Sequence, residues 1–328
     1  MRSTVSVVAA LVSMALGAGP CSAQSQARSD IRVTLLGTGA PLPAADRFQA
    51  SILVEAGDQR LLFDAGRGAT IRLWQIRVPL GSIDALFITH FHSDHTVGIA
   101  DLWLTGWLVG AFGGRKAPFH VIGPVGTSAL MSNLEKAYAL DVRIRTADEK
   151  LPPEGAAIRS EEFEQGGVVY EKDGVRVIAF EVDHGPSIKP AYGYRIEYRG
   201  HSVVLSGDTR YNQNVIKFGT GADVLIHEVA LVRPELSSDP LARRIMAHHT
   251  SPREAGKVFS QAKPKLAVYS HIALPSNEKI PPATIDDIVR QTRESYQGAL
   301  VAGEDLMSFE IGDTVVVRRW AEVKHGRL

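Results

Sequence analysis

Cysteine is nearly absent from this sequence. The 328 residues include a single one, Cys21, close to the amino terminus. An internal disulfide is therefore excluded, because a disulfide needs two cysteines. Once residues 1–23 are set aside, no thiolate remains to bind a metal or to attack a substrate. Metal binding and catalysis must then rely on histidine, carboxylate and water.

The chain also lacks an excess of charge of either sign. It has 36 Lys and Arg residues and 36 Asp and Glu residues, so its formal net charge is zero. Binding along a nucleic-acid backbone depends on clustered cationic side chains, and the composition therefore argues against nucleic acid as a partner. No second long apolar run follows the one at the amino terminus, so we expect a soluble mature protein with no membrane partner.

The amino terminus has the layout of a secretory signal peptide. Arg2 gives a positive start, residues 5–16 are mostly apolar, and residues 21–23 are small. This arrangement is typical of a segment that is removed during export. We therefore predict a signal peptide over residues 1–23, a single domain over residues 24–328, and a periplasmic or secreted protein.

The strongest chemical signal is the hexapeptide His-Phe-His-Ser-Asp-His at residues 90–95, directly after the apolar run 85–89. The run predicts a strand that delivers the hexapeptide at its carboxyl end. The candidate ligands in the hexapeptide are His90, His92, Asp94 and His95. Imidazole and carboxylate groups are the ligands that zinc prefers. So many neighbouring donors, with others later in the chain, indicate a site for two metals.

Strand and helix patterns alternate in both halves of the chain. Predicted strands lie near residues 31–36, 51–55, 60–63, 84–89, 118–122, 168–170, 175–182, 192–198, 202–205, 224–226, 266–270 and 314–317. Predicted helices lie near residues 68–77, 96–109, 124–138, 252–262 and 283–294, with variable connections and short strands over 141–166. The alternation favours an α/β protein with two sheets packed face to face and helices outside.

Three more donors follow predicted strands. His184 comes after the strand that ends at residue 182, Asp208 after strand 202–205, and His271 after strand 266–270. A single donor at a strand end is more often a cap or a turn residue. Their ordered recurrence after the hexapeptide is the stronger signal, because strand ends that meet at one edge of a sheet bring such side chains together.

With these motifs in place, the chain resembles the metallo-β-lactamase-fold hydrolases. The leading strand with Asp64, the cluster 90–95, His184, Asp208 and His271 match the five motifs of that superfamily in order. The resemblance covers nearly the whole mature chain. It implies an α/β fold in the form of a four-layer αββα sandwich.

Two further segments resemble the ribonuclease Z-like branch of that superfamily. They are Ile226-His227-Glu228-Val229-Ala230 and His249-Thr250-Ser251. This branch includes transfer-RNA 3′-processing endonucleases, phosphodiesterases and a group of arylsulfatases. Enzymes that process transfer RNA usually carry a long arm between the third and fourth motifs. Here 24 positions separate His184 from Asp208, so the arm is missing and transfer RNA is disfavoured as the substrate.

The resemblance implies a ligand set for two Zn²⁺ ions, although Mn²⁺ or Fe can use the same donors. It assigns His90, His92 and His184 to one ion. It assigns Asp94, His95 and His271 to the other, with Asp208 bridging. A water shared by two such cations loses a proton near neutral pH and becomes the nucleophile. Asp94 has a second implied role, which is to orient that nucleophile.

The histidines and carboxylates outside this set receive different interpretations. His249 is the candidate general acid for the leaving oxygen, and Glu228 would hold its tautomer; the alternative is a buried structural pair. Asp64 is expected to fix loops beneath the metals through hydrogen bonds. His227 is expected in the core or behind the ligands, and His248 on the surface.

Two segments are candidates for substrate selection. Trp103 and Trp107 lie four residues apart on a predicted helix, where they either line the pocket mouth or pack in the core; core packing is favoured. Arg115 and Lys116 follow two glycines. These cations either meet an anionic group or form a solvated turn, and the sequence leaves both open.

The leading functional expectation is an exported binuclear zinc hydrolase of small phosphodiesters or sulfate esters, of the arylsulfatase or phosphodiesterase type. The alternative is a ribonuclease Z-like endoribonuclease acting on RNA 3′ ends. A lactonase or β-lactamase is less favoured, because such enzymes generally lack the Glu228 and His249 pair. A non-catalytic protein is disfavoured, because all seven ligand positions are filled. The expected partner is a small anionic ester, and the resemblance allows a homodimer.

Overall fold

The computed structural model describes residues 29–320. The predicted signal peptide lies outside the described residues and stays a prediction. The strands are β1 (Ile31–Gly37), β2 (Ser51–Ala56), β3 (Gln59–Phe63), β4 (Ala85–Phe87), β5 (Phe119–Pro124), β6 (Ile158–Phe163), β7 (Gly167–Lys172), β8 (Val175–Glu181), β9 (Tyr192–Tyr198), β10 (His201–Leu205), β11 (Val224–Ala230), β12 (Leu266–Ala273), β13 (Leu300–Ala302), β14 (Ser308–Ile311) and β15 (Val315–Arg318).

Helices connect these strands on the outside of the molecule. They are α1 (Ala69–Gln75), α2 (Ser93–Thr96), α3 (Ile99–Trp107), α4 (Thr127–Asp148), α5 (Pro153–Ala156), α6 (Gln213–Gly219), α7 (Pro240–Met246), α8 (Pro252–Ala262) and α9 (Ile285–Thr292), with 3₁₀ turns at Leu80–Ser82 and Pro234–Leu236. Within the described residues, no helix combines the length and the apolar character that a membrane crossing requires.

Two mixed sheets form the centre of the fold. One has the strand order β15-β14-β1-β2-β3-β4-β5-β6 and the other the order β13-β12-β11-β10-β9-β8-β7. Their inner faces share one apolar core. In it the rings of Phe63 and Phe87 stack 4.8 Å apart, and both contact Tyr194 of the opposite sheet, at 5.3 and 5.7 Å. Burying each such ring stabilises the fold by roughly 1.5–3 kcal/mol.

The outer face of each sheet is covered by helices. Leu73 of α1, Trp103 of α3 and Met131 of α4 pack on the first sheet. Val215 of α6 and Phe259 of α8 pack on the second, together with α9. The predicted four-layer αββα sandwich is therefore confirmed, and its layers agree with the rule that each sheet face must be covered.

Parallel pairing decides where the site lies. Strands β3, β4, β5 and β6 run parallel in the first sheet, and β10, β11, β12 and β13 do so in the second. Their carboxyl ends therefore gather at one edge of the sandwich. Two backbone hydrogen bonds tie the sheets together there, from Tyr192 N–H to Thr89 O at 3.0 Å and from Ile272 N–H to Thr38 O at 2.8 Å.

Several element predictions need correction. The interval 141–166 is mainly regular structure, because α4 continues to Asp148 and β6 pairs with β5. Ion pairs from Arg145 to Asp141 and Glu149, four residues away on either side, support the exposed end of α4. The helix predicted at 96–109 corresponds to α3, and the short helix α2 precedes it. Helices α6 and α7 and strands β13 and β14 were not predicted.

The two tryptophans and Arg115 are structural. Trp103 and Trp107 are buried, and their indole N–H groups donate to the carbonyls of Ala156 and Pro152 at 2.9 Å, so the favoured core packing is confirmed. Arg115 is 6% exposed and donates to backbone carbonyls of α3 and α5. Both uses expected for Arg115 are therefore wrong, because the end of α3 leaves carbonyls that this guanidinium satisfies.

Candidate metal centre

The structure brings all seven predicted ligands to the carboxyl edge of the two sheets. One candidate group, which we call the open group, is His90, His92 and His184; in it His92 is half-buried. The other, the buried group, is Asp94, His95 and His271. In the open group the donor atoms and one oxygen of Asp208 all lie within 4.8 Å of one another, and the same limit holds within the buried group.

Asp208 lies between the two groups. Its Oδ2 is 3.2 Å from Nε2 of His271 and 3.3 Å from Nε2 of His95 in the buried group. The same oxygen is 3.7 Å from Nε2 of His184 and 3.9 Å from Nε2 of His90 in the open group. Burial favours the neutral acid, but the pKa of Asp208 is lowered well below its ordinary value by His271 and His95. The carboxylate is thus ionised and placed to serve both groups.

The donor chemistry fits divalent metal ions. Six ring or carboxylate donors converge around one buried carboxylate oxygen, and imidazole with carboxylate is a set that zinc prefers. The site has the composition and the spacing for two ions, while the identity of the metal and the role of each residue as a ligand stay predictions.

Neighbouring groups fix three of the rings so that Nε2 is directed inward. Nδ1–H of His95 donates to Asp64 Oδ2 at 2.7 Å. Nδ1–H of His90 donates to Thr89 Oγ1 at 3.0 Å, and Nδ1–H of His184 donates to a backbone carbonyl at 2.8 Å. Such partners set the tautomer and the orientation of metal-binding histidines.

Asp64 lies beneath the buried group, as expected. It accepts hydrogen bonds from Thr89 N–H and Oγ1–H, both at 2.8 Å, besides the one from His95. The turn after Asp64 passes directly under α2. A Cβ on Gly66 would lie 2.3 Å from the carbonyl oxygen of Asp94, so only glycine permits this approach. The predicted hydrogen-bonding role of Asp64 is confirmed.

A bulge between β11 and β12 positions His271. The register shifts between His227 and Val229, so that two residues of β12, Ser270 and His271, face Glu228. His271 has a φ of 44°, a left-handed conformation that is uncommon outside glycine. Bulges of this kind redirect side chains near sites. Here the result is that His271 Nε2 lies 3.2 Å from Asp94 Oδ2.

His227, next to this bulge, is a core residue. It is fully buried, its Nδ1–H donates to the carbonyl of Glu228 at 2.6 Å, and its ring lies edge-on to Phe259. His227 therefore lies behind the site, as expected, and is not one of the candidate ligands.

The pair of Glu228 and His249 borders the cluster. His249 Nδ1 lies 3.1 Å from Glu228 Oε2, and Thr250 N–H donates to Oε1 at 2.7 Å. A donor nitrogen of His249 lies within 4.8 Å of donor atoms of Asp208 and His271. Burial lowers the pKa of His249 to about 4 and raises the pKa of Glu228 well above its usual range. Both directions indicate a neutral pair.

His248 was predicted on the surface, and this is wrong. It is half-buried, and its ring lies 5.1 Å from that of His184 and 5.0 Å from that of His249. The segment after α7 folds back over Gly185, and this brings both adjacent histidines to the cluster. Sequence alone gives no signal for this, because neighbouring residues on an extended chain would point to opposite sides.

The chain is similar in sequence to known proteins. A family model described as a beta-lactamase superfamily domain matches residues 59–272, which include all seven donors. The chain is 35% identical over 286 residues to a protein named ribonuclease Z from Mycolicibacterium gilvum, covering 86% of this chain and 96% of that protein. It is 33% identical over 287 residues to ribonuclease Z from Mycobacterium bovis, covering 86% and 98%.

Solved structures share the fold at lower identity. The short form of human tRNase Z superposes with a TM-score of 0.64 at 22% identity, covering 86% of this chain and 99% of that one. The metallo-beta-lactamase fold protein YhfI from Bacillus subtilis gives a TM-score of 0.65 at 20% identity, covering 85% and 98%. The chain therefore belongs to the metallo-β-lactamase superfamily, in its ribonuclease Z-like branch, and is a metallo-hydrolase.

Proposed function

We propose that this protein is a binuclear metal-dependent phosphodiesterase of the ribonuclease Z type, which cleaves a phosphodiester bond in RNA. The observation that carries the proposal is the Glu228 and His249 hydrogen bond at the edge of the seven-donor cluster. Relatives named ribonuclease Z, 33–35% identical across nearly their whole length, support it. They favour the endoribonuclease alternative over the small-ester function that the sequence led us to expect first.

The seven donors would hold the metals as two neighbouring sets. The open group would bind one ion and the buried group the other, with Asp208 between them. Two bound cations supply Lewis acidity, and they lower the pKa of a bound water toward neutrality. Zinc is the proposed metal because imidazole donors predominate, and Mn²⁺ or Fe suit the same set.

His249 is proposed to move the proton at the leaving oxygen. Because Nδ1 is bound to Glu228, the nitrogen left for the substrate is Nε2. In a neutral pair the carboxylic acid of Glu228 donates to Nδ1, and Nε2 carries the ring hydrogen. As the P–O bond breaks, Nε2 gives its proton to the leaving oxygen and Nδ1 takes the proton of Glu228. General acids placed in this way contribute about 10²–10⁴-fold to a rate.

A second candidate function is hydrolysis of small phosphodiesters or sulfate esters. The observation that favours it is the segment between His184 and Asp208, where the loop of residues 183–190 runs directly into the β9–β10 hairpin with no arm. The alignment with the Mycolicibacterium relative, 286 residues long and covering 86% of this chain, leaves no room for a long insertion in that relative either. The short segment therefore fits both functions, and the small-ester function stays the second candidate.

The location and the partners belong to the same proposal. We infer an exported enzyme, periplasmic or secreted, from the predicted signal peptide. Its substrate is proposed to be an anionic ester, which the bound cations would attract.

The proposal is tested with metal-loaded protein and a panel of substrates. The panel is an RNA with a 3′ extension, bis(p-nitrophenyl) phosphate, p-nitrophenyl sulfate, a lactone and a cephalosporin. We expect cleavage of the RNA and of the nitrophenyl diester, both abolished by a chelator. Cleavage of the diester with the RNA left intact would favour the second candidate. Activity confined to the lactone or the cephalosporin would contradict both.

A further inference from the structure

His248 presents a buried ring nitrogen that has no partner. Within the part of the chain that the structure describes, its Nδ1 makes no hydrogen bond. A donor nitrogen of this ring also lies within 4.8 Å of donor nitrogens of His184 and His249. Leaving a buried polar atom unsatisfied is costly, so this position calls for a group that the imidazole can bind.

The backbone holds His248 in place without using its ring. Its carbonyl accepts the hydrogen bond from Nδ1–H of His184 at 2.8 Å. Its Cβ packs over Gly185, where an added Cβ would be 3.2 Å away. The side chain is therefore fixed beside a candidate ligand, while its Nδ1 has no hydrogen-bond partner among the described residues.

A third metal ion is a poor explanation for this geometry. His248 belongs neither to the open group nor to the buried group. A metal bound by His184, His248 and His249 would need Nε2 of His184, since its Nδ1 already donates to a carbonyl. That Nε2 faces Asp208 at 3.7 Å as part of the open group. The ring of His248 thus lies at the rim of the cluster, next to the proposed proton donor.

We propose that His248 is a substrate-contacting residue, whose imidazole N–H donates a hydrogen bond to a non-bridging oxygen of the phosphoryl group. This rests on the proposed function, because it takes the ligand to be a phosphate ester. It extends the site beyond the metals and the Glu228–His249 pair. The contact lies on the leaving-group side of the phosphorus, where His249 acts. No proton is transferred by His248 in this role.

The test measures binding of inorganic phosphate to the metal-loaded protein by calorimetry. The variants are His248→Ala, His248→Phe, which keeps a ring and removes both nitrogens, and His248→Asn, which keeps an N–H donor. A hydrogen bond to a charged oxygen is worth about tenfold or more in affinity. We expect the Kd for phosphate to rise about tenfold in the Ala and Phe variants. His248→Asn should recover most of the affinity.

The control is His120→Ala, a histidine on β5 whose Nε2 lies 3.1 Å from Glu161 Oε1; it should leave phosphate binding unchanged. Metal content, measured for every variant, should also stay unchanged. An unchanged Kd in the Phe variant would overturn the proposal, and so would loss of a metal equivalent, since His248 would then be a ligand. Calorimetry measures phosphate binding without turnover, so it tests the role of His248 separately from the activity. A protein inert on all diesters would contradict the proposed function, whereas an unchanged phosphate affinity in the Phe variant would contradict the role of His248.

Discussion

The open group and the buried group use similar donors in different surroundings. All three side chains of the buried group are buried, and Asp64 supports His95 from behind. In the open group His92 is half-buried, and His184 adjoins His248 and His249. The comparison teaches that a hydrogen-bonded carboxylate supports the buried group from behind, while the open group is more exposed and adjoins His248; His249 adjoins both groups.

Removing the shared carboxylate should abolish the distinction between the groups. In Asp208→Asn both groups lose their common oxygen anion, so we expect metal content to fall from about two equivalents to one or fewer and diester hydrolysis to fall at least about 10³-fold. Elemental analysis and a nitrophenyl diester assay measure this.

The matched control is Asp223→Asn, which removes a buried carboxylate bound to Lys265 at 2.7 Å. It should lower the melting temperature and retain the metal. Two equivalents retained in Asp208→Asn would contradict the bridging role.

Removing the proposed proton donor should slow catalysis and leave both metal groups intact. His249→Ala is expected to slow cleavage of an RNA or alkyl diester by about 10²–10⁴-fold, because a poor leaving group needs the proton. Nitrophenyl esters should lose much less, and metal content should stay unchanged. Steady-state rates on the two substrate types test this. Equal losses on both would remove the general-acid role.

Removing the carboxylate beneath His95 should weaken one group selectively. Asp64→Asn leaves His95 without its acceptor anion, and losses of about 10–100-fold in metal affinity are typical for such changes. We expect one of two binding events in a competition titration with a chelator to weaken by this factor while the other is kept. If both weaken together, the two groups do not bind independently.

The smallest effect should come from the loop beneath His248. Gly185 has φ of 104° and Gly200 has φ of 84°, so alanine at either position is strained by about 1–3 kcal/mol. An added Cβ meets His248 at position 185 and meets nothing within 4 Å at position 200. Both variants should lower the melting temperature, and only Gly185→Ala should also slow diester hydrolysis severalfold. Equal activity in the two would show that the packing of His248 is not needed.

The ligands could be predicted because they lie at or near the carboxyl ends of strands. Four of them lie within residues 90–95, directly after an apolar run. His184, Asp208 and His271 each come after a further predicted strand. In a sandwich with parallel strands such positions meet at one edge. The layer order was predictable for the same reason, since alternating strand and helix patterns leave few ways to cover two sheets.

What could not be predicted depends on contacts between distant parts of the chain. The bulge at His271 is set by the register of β11 against β12, which no local pattern encodes. The position of His248 depends on how the segment after α7 packs over Gly185. Arg115 looks like a loop cation in sequence, and it is buried because helix α3 ends beside it. Such tertiary effects override local propensity.

The central claim is that seven side chains hold two cations that make water reactive, and metal analysis tests it most directly. The purified protein is assayed for metal content and for hydrolysis of bis(p-nitrophenyl) phosphate, before and after treatment with a chelator. We predict about two equivalents of metal per chain, complete loss of activity after stripping, and recovery when zinc is returned. Full activity in metal-free protein would contradict the claim. Full activity in a His92→Ala variant that has lost one metal equivalent would contradict it too.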